Sequence, residues 1–219
     1  MSARDDIIGR VRRGVAKADY ASRRAAAEAA LGAPVRGPQP VMATDLVARF
    51  KAKAEYLAST VDVVVALTDV PVAVAAYLST NGLGQQAVAT PDVGSLKWSG
   101  ACLQVETRAA VDADKVGISG CFCAIAETGT LMLLSGPETP ATVSLLPETH
   151  IARVDVSRIV ATMEDAFALL RAEHGSLPRA VNFISGPSRT GDIEQTIVLG
   201  AHGPCRVHLI LVGADAVKP

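Results

Sequence analysis

The 219-residue chain reads as an α/β protein: a parallel-rich sheet covered by helices, preceded by an N-terminal helical arm. Three observations predict this class. Several strand-like runs are apolar from end to end, the pattern of strands buried on both faces rather than one. Those runs alternate along the chain with helical stretches, the order expected of βαβ units. Hydrophobic residues make up 49% of the chain and aromatics 4%, so a sizeable core must be packed from Ala, Val, Ile and Leu.

The elements follow in order. Residues 3–31 have helical character: Ile7, Ile8 and Val11 recur at helical spacing in a stretch rich in Ala and Arg. Three prolines between residues 32 and 40 break it and make an extended connector. Thr44 or Asp45 caps the next helix, which runs from Leu46 to about Leu57. Residues 1–57 are thus expected to form the helical arm and residues 58–219 the α/β unit. Within that unit, strands are expected at 61–67, 86–90, 102–105, 115–119, 131–134, 150–154, 180–185 and 207–212. Helices are expected at 71–78 and 157–172, the latter with Ile159, Met163, Ala166, Phe167 and Leu170 on one stripe, and a short one starting near Asp192. The arm is expected to pack on the α/β unit or on a second subunit, which points to a homo-oligomer.

With 21 basic and 22 acidic residues the net charge is -1, so no field draws nucleic acid or anionic lipid. No apolar stretch approaches the roughly 20 residues needed to span a bilayer. The mixed charge of residues 1–6 is unlike a secretory signal, so a cytoplasmic protein is expected. Of the four cysteines, Cys121 and Cys123 stand two apart, which is neither a zinc nor a thioredoxin-like spacing, and Cys102 and Cys205 are distant. No bound metal or cofactor is expected. On an extended strand Cys121 and Cys123 would share a face as small buried hydrophobes. Phosphate-loop, dinucleotide-binding, nucleophile-elbow and zinc-protease motifs do not occur in the chain.

Two segments combine small residues with reactive ones. The apolar run ending at Ile184 gives way to Ser185, Gly186, Ser188, Arg189 and Asp192, with His202 following. The carboxyl ends of parallel strands are where open α/β sheets bind ligands. Ser185 and Ser188 can donate to an anion, Arg189 offers a planar fork for a carboxylate or phosphate, and amides of the expected Asp192 helix would add positive potential. Equally, Arg189 can pair with Asp192 or Glu194. The second segment is Glu127, Thr128, Gly129 and Thr130. Glu127 reads either as a general base or nucleophile or as an acceptor of turn amides. His202 reads either as a proton carrier or as a turn histidine bonded to a carbonyl. His150 and His208 sit in strand runs as structural histidines, His174 at a helix end, and Trp98 as either a lid or a core residue.

At four motifs the chain resembles a known family. Ala124-Ile-Ala-Glu-Thr-Gly-Thr-Leu131, Leu145-Leu-Pro-Glu-Thr-His-Ile151, Asn182-Phe-Ile-Ser-Gly-Pro-Ser-Arg-Thr-Gly-Asp-Ile-Glu194 and Leu199-Gly-Ala-His-Gly-Pro204 resemble the lactate-utilization protein C family, densely from about residue 112 to 212. The resemblance implies a fold similar to the sugar-isomerase and coenzyme A-transferase superfamily. It implies a part in oxidising L-lactate to pyruvate with iron–sulfur partner subunits, this chain being free of clusters. Three readings stay open: a subunit of a lactate-oxidising complex, a stand-alone enzyme for a small carboxylate or its coenzyme A ester, and a binding protein for a small anionic ligand.

Overall fold

Side-chain caps set where the first helices begin. The computed structural model describes residues 2–15, 19–33, 37–42, 44–193 and 195–213. Ser2 and Asp5 exchange hydrogen bonds at the start of α1 (Ala3–Val15), and Asp19 accepts from Ala21 N at 3.1 Å to open α2 (Tyr20–Gly32). The expected helix over 3–31 is therefore two helices; residues 16–18 lie outside the described residues, as do residues 34–36 of the connector and residues 214–219. Met1–Val41 form one compact unit and Met42–Pro219 a second. In the first, Ile7 and Val11 are exposed and no residue of α2 is buried.

The second unit opens with α3 (Leu46–Tyr56), started by Asp45, whose carboxylate accepts from Ala48 N at 2.9 Å. Phe50 and Ala54 of α3 are fully buried within this unit, so the helix grouped above with the arm is a core element of the body. β1 (Thr60–Val64) leads to α4 (Val70–Thr80), where Pro71 occupies the first turn and so forfeits no helical hydrogen bond. Next come β2 (Gln86–Ala89), the single turn α5 (Pro91–Gly94), β3 (Gln104–Thr107) and β4 (Val116–Ser119). β5 (Cys123–Ile125) and β6 (Thr130–Leu134) pair as a hairpin, and α6 (Thr142–Leu145) is one turn. β7 (Thr149–Asp155), β8 (Ile159–Val160), α7 (Met163–His174), β9 (Val181–Ile184), β10 (Arg189–Ile193), β11 (Thr196–Leu199) and β12 (Arg206–Val212) complete the unit.

Two expected helices are corrected. Residues 157–160 are not the first turns of a helix: a 3-10 turn at Val156–Arg158 runs into β8, whose β-branched Ile159 and Val160 pair beside Ala124 and Ile125. The helix starts where Thr162 accepts from Asp165 N and Asp165 caps Thr162 N in return. Near Asp192 there is no helix either. Thr196-Ile-Val-Leu199 is β-branched enough to fold back on Arg189–Ile193 as an antiparallel hairpin, with Gln195 at φ 56 in the turn.

The main sheet is parallel throughout, in the order β1-β12-β7-β4-β2-β3; a second sheet runs β8-β5-β6-β9. Alternation along β7 shows why its strands read as unbroken apolar runs. Ile151 points into a core shared with Val74 and Leu78 of α4, while Ala152 and Val154 point into another shared with Phe50, Leu131 and Leu133. A third core joins Met132 and Ile125 to Ala166 and Leu170 of α7. The layers are thus α4, the parallel sheet, the second sheet with α3, and α7. Cys121 and Cys123 do not share a face: Cys121 sits in the bend before β5 and packs in the second core, while Cys123 is buried in the third. Trp98 is a core residue, its Nε1 donating to Val93 O at 3.2 Å.

Gly186 has φ 79, and a Cβ there would overlap the Leu57 carbonyl at the end of α3. Gly175 has φ 67 as the cap of α7 but stands in open space. Gly186→Ala is therefore expected to destabilise by on the order of 3 kcal/mol, and Gly175→Ala by about 1 kcal/mol. Urea unfolding of both variants checks this; equal losses would contradict the close approach.

Candidate functional site

In the parallel sheet the chain leaves β2 for β3 on one side and leaves β4 for β7 on the other, although β2 and β4 are neighbours. Loops that depart in opposite directions cannot fill the space between them, so a crevice opens at the carboxyl ends of these two strands. A cavity of about 280 Å³ lies there. Thr90 and Asp92 after β2, Ser119 at the end of β4 and Gly120 and Cys121 just beyond it form its floor, with Leu133, Leu134 and Asn182 of the second sheet also lining it.

Each polar group at this floor has a definite state. Thr90 Oγ1 donates a short hydrogen bond to Asp92 Oδ1. A Cβ at Gly120 would overlap the Asp92 carboxylate and come to 3.4 Å from Arg153 Nη2, so a side chain there must displace Asp92. Arg153 stands across from Gly120 on β7, one residue beyond the Ser119–Ala152 pair, and its Nε is buried with no partner among the described residues. Ser119, nearly inaccessible, shares a 2.8 Å hydrogen bond with Nε2 of the fully buried His150. Burial lowers the His150 pKa to about 4, so the imidazole is neutral near pH 7. Burial also pushes the Cys121 thiol up to about 12, which leaves it protonated and a poor nucleophile. Phe122 completes the wall, held by the Arg158 guanidinium 4.7 Å from its ring centre and by the edge of His174.

The residues singled out by the sequence lie elsewhere. β9 is an antiparallel edge strand of the second sheet, so the rule for parallel strands does not apply to the segment that leaves it. That segment sits at the amino-terminal side of the parallel sheet, beside Val207 at the start of β12. The structure does bring the two predicted segments together. Thr128 and Thr130 share a 2.8 Å hydrogen bond, and Thr130 and Ser185 one of 2.7 Å. Gly129, at φ 67, lies against the backbone of Lys53 and Ala54. Ser185, Gly186, Ser188 and His202 line a smaller cavity of about 150 Å³; Glu127 and Arg189 are not among its lining residues. Glu127 N donates to Ala161 O at 3.0 Å in the hairpin turn. Arg189 Nη2 donates to Leu57 O at 3.2 Å, so its fork serves the end of α3. Asp192 is exposed within β10 rather than at a helix start, and Glu194 lies outside the described residues.

The switch-point residues were missed although their signal is of the same kind. Thr90-Pro-Asp and Ser119-Gly-Cys each follow an apolar run with small and polar residues. What single-chain reading does not supply is strand order, which decides where the crevice opens. Among the described residues no group of three or more His, Cys, Asp or Glu side chains converges as a metal site, and no helix is long and apolar enough to cross a membrane.

Comparison with known proteins bears on this fold. Residues 47–212 match the LUD domain. The chain belongs to the LUD-domain family. Among curated relatives, an uncharacterized protein of Neisseria meningitidis, NMB1437, is 41% identical over 103 residues, 47% of this chain and 44% of that one. Proteins named lactate utilization protein C from Geobacillus and Bacillus subtilis are 44% and 42% identical over 100 residues, in each case 44% of this chain and 42% of the relative. The resemblance to the lactate-utilization protein C family is thus borne out. The matched stretch spans less than half the length of these relatives. A crystal structure of a DUF162 family protein from Deinococcus radiodurans superposes with TM-score 0.57 at 23% identity, covering 80% of this chain and 100% of that one, a likeness of fold.

The buried histidines of this LUD domain link its stability to pH. His208 is held by Thr60 Oγ1 at 2.9 Å and stacks on Tyr77 at 3.9 Å; burial lowers its pKa, with Asp62 pulling the other way. For both histidines the unfolded chain takes up a proton first. Their contribution is therefore complete above pH 6.5 and is lost as pH falls towards 4. His150 alone accounts for on the order of 3 kcal/mol of that loss. Urea midpoints measured from pH 7 to 4.5 should fall steadily, and His150→Gln should flatten the slope; a slope unchanged in the variant would contradict a neutral buried His150.

Proposed function

We propose that this LUD-domain protein takes part in lactate utilization as a cytoplasmic, cluster-free subunit, acting with iron–sulfur partner proteins in the oxidation of L-lactate to pyruvate. Its own task is to hold a small carboxylate in the switch-point cleft. One observation carries the second half of this reading: the cleft, of about 280 Å³, sits where α/β sheets bind ligands, with the Thr90 and Ser119 hydroxyls, Asp92 and Gly120 at its floor and a largely apolar wall of Phe122, Leu133, Leu134 and Pro140 that also carries Glu138. Relatives named lactate utilization protein C support the first half.

Deleting the gene from its host is expected to abolish growth on L-lactate while growth on pyruvate continues, and the affinity-tagged chain should recover polypeptides carrying iron and labile sulfide from L-lactate-grown cells. Normal growth of the deletion strain would sink the pathway reading. For the site, calorimetric titration with L-lactate or pyruvate should lose its signal in Gly120→Val, in which the new side chain displaces Asp92, and keep it in His202→Ala. The opposite pattern would move the ligand to the smaller cavity beside Ser185 and Ser188.

A further inference from the structure

The floor of the cleft sets an acceptor and a donor on either side of Gly120. Asp92 engages Oδ1 with Thr90 and keeps Oδ2 over Gly120, where no protein donor meets it among the described residues. Across Gly120 is Ser119, whose role turns on which nitrogen of His150 carries the proton. His150 Nδ1 is buried with no partner among the described residues, and Nε2 lies 2.8 Å from Ser119 Oγ. A proton on Nδ1 would be a buried N–H with no acceptor, the rarer and costlier kind of unmet group. The proton therefore sits on Nε2 and is donated to Ser119 Oγ. That leaves the Ser119 O–H free to turn towards the cavity it lines. Arg153, with Nη2 3.4 Å from the position a Gly120 Cβ would take, stands on the same side of Gly120 as Asp92 and offsets that carboxylate's charge.

We propose that the cleft selects 2-hydroxy acids over 2-oxo acids: Asp92 Oδ2 accepts the hydrogen bond of the ligand's 2-hydroxyl, and the Ser119 O–H donates to its carboxylate. The proposal rests on the reading that the cleft holds a small carboxylate. A 2-oxo acid turns a carbonyl lone pair towards Asp92, acceptor against acceptor, and a site built to receive a hydroxyl proton rejects the analogue that lacks one. His150 is a positioning residue: it touches no ligand and acts by fixing which way the Ser119 hydroxyl points.

The test is calorimetric titration of L-lactate and of pyruvate into the wild-type chain, Asp92→Ala and Ser119→Ala, with thermal melting to establish that each variant is folded. Wild type is expected to prefer L-lactate by about tenfold or more. Asp92→Ala should bring the two acids to within about twofold of each other, and Ser119→Ala should weaken both by about tenfold. If Asp92→Ala does not fold, Asp92→Asn, which offers an amide N–H to the pyruvate carbonyl, should narrow or invert the preference. Equal binding of both acids to wild type, or a preference that survives at residue 92, overturns the selectivity and leaves the small-carboxylate reading standing. Failure of either acid to bind wild type overturns that reading itself. Nitrogen-15 shifts of His150 should show a bare Nδ1 and a protonated Nε2; the reverse tautomer overturns the role given to Ser119.

Discussion

The burial of the parallel sheet on both faces is the constraint on which the rest of the body depends. Ile118, Ile151 and Ile210 are closed off by α4, while Ala152, Val154, Leu209 and Leu211 are closed off by α3 and the second sheet. Apolar burial on this scale is non-directional, so it fixes that the second sheet must lie against the first but not where its strand ends fall. Those ends are fixed by pairing. β6 runs antiparallel to both β5 and β9, which brings Leu133, Leu134 and Asn182 over the carboxyl ends of β2 and β4. The cleft is thus a by-product of covering the sheet: the layer that completes the core also walls the crevice.

A crevice enclosed between layers imposes its own electrostatics. Polar groups there must be paired or neutral, because an unmet charge in a poorly solvated site is costly. Ser119 and Nε2 of the neutral His150 share a hydrogen bond, Cys121 keeps its proton, and Thr90 covers one oxygen of Asp92. Arg153 Nε and the second oxygen of Asp92 depart from this pattern: among the described residues neither meets a partner. A guanidinium is the cation least harmed by partial burial, since its charge is spread over a plane and it is weakly hydrated. Arg153 Nη2 comes to 3.4 Å from the position a Gly120 Cβ would take, on the side of Asp92.

How much of this was legible in the sequence depends on the length over which each signal acts. The apolar runs that became β2, β4, β7 and β12 were readable because burial on both faces leaves an unbroken local signature. Asp45 was readable as a cap for the same reason: the group it satisfies is three residues away. Ile159 misled because it extends the stripe of α7 while belonging to a strand that pairs with residues more than thirty positions earlier. The hairpin of β10 and β11 was hidden behind the polar residues of its first strand. For the site, the chain offers small and reactive residues after several strands, and which of them share an end of the sheet depends on strand order, a non-local property.

Arg189 shows why residue chemistry alone could not decide between the two ends of the molecule. The last turn of a helix presents unpaired carbonyls and the negative end of the helix dipole, which to a guanidinium resembles a carboxylate. Gly186 is needed in either setting, since both a bound anion and a helix end demand close approach to the backbone. A serine–glycine–proline–serine–arginine segment is therefore equally suited to gripping a ligand and to gripping the Leu57 carbonyl. Direction breaks the tie. Because β9 runs against β6 at the edge of the second sheet, its exit delivers Arg189 to the end of α3, while the parallel exits of β2 and β4 deliver Asp92 and Ser119 to a shared floor. The same few side-chain types thus close the fold at one end of the sheet and leave it open to a ligand at the other.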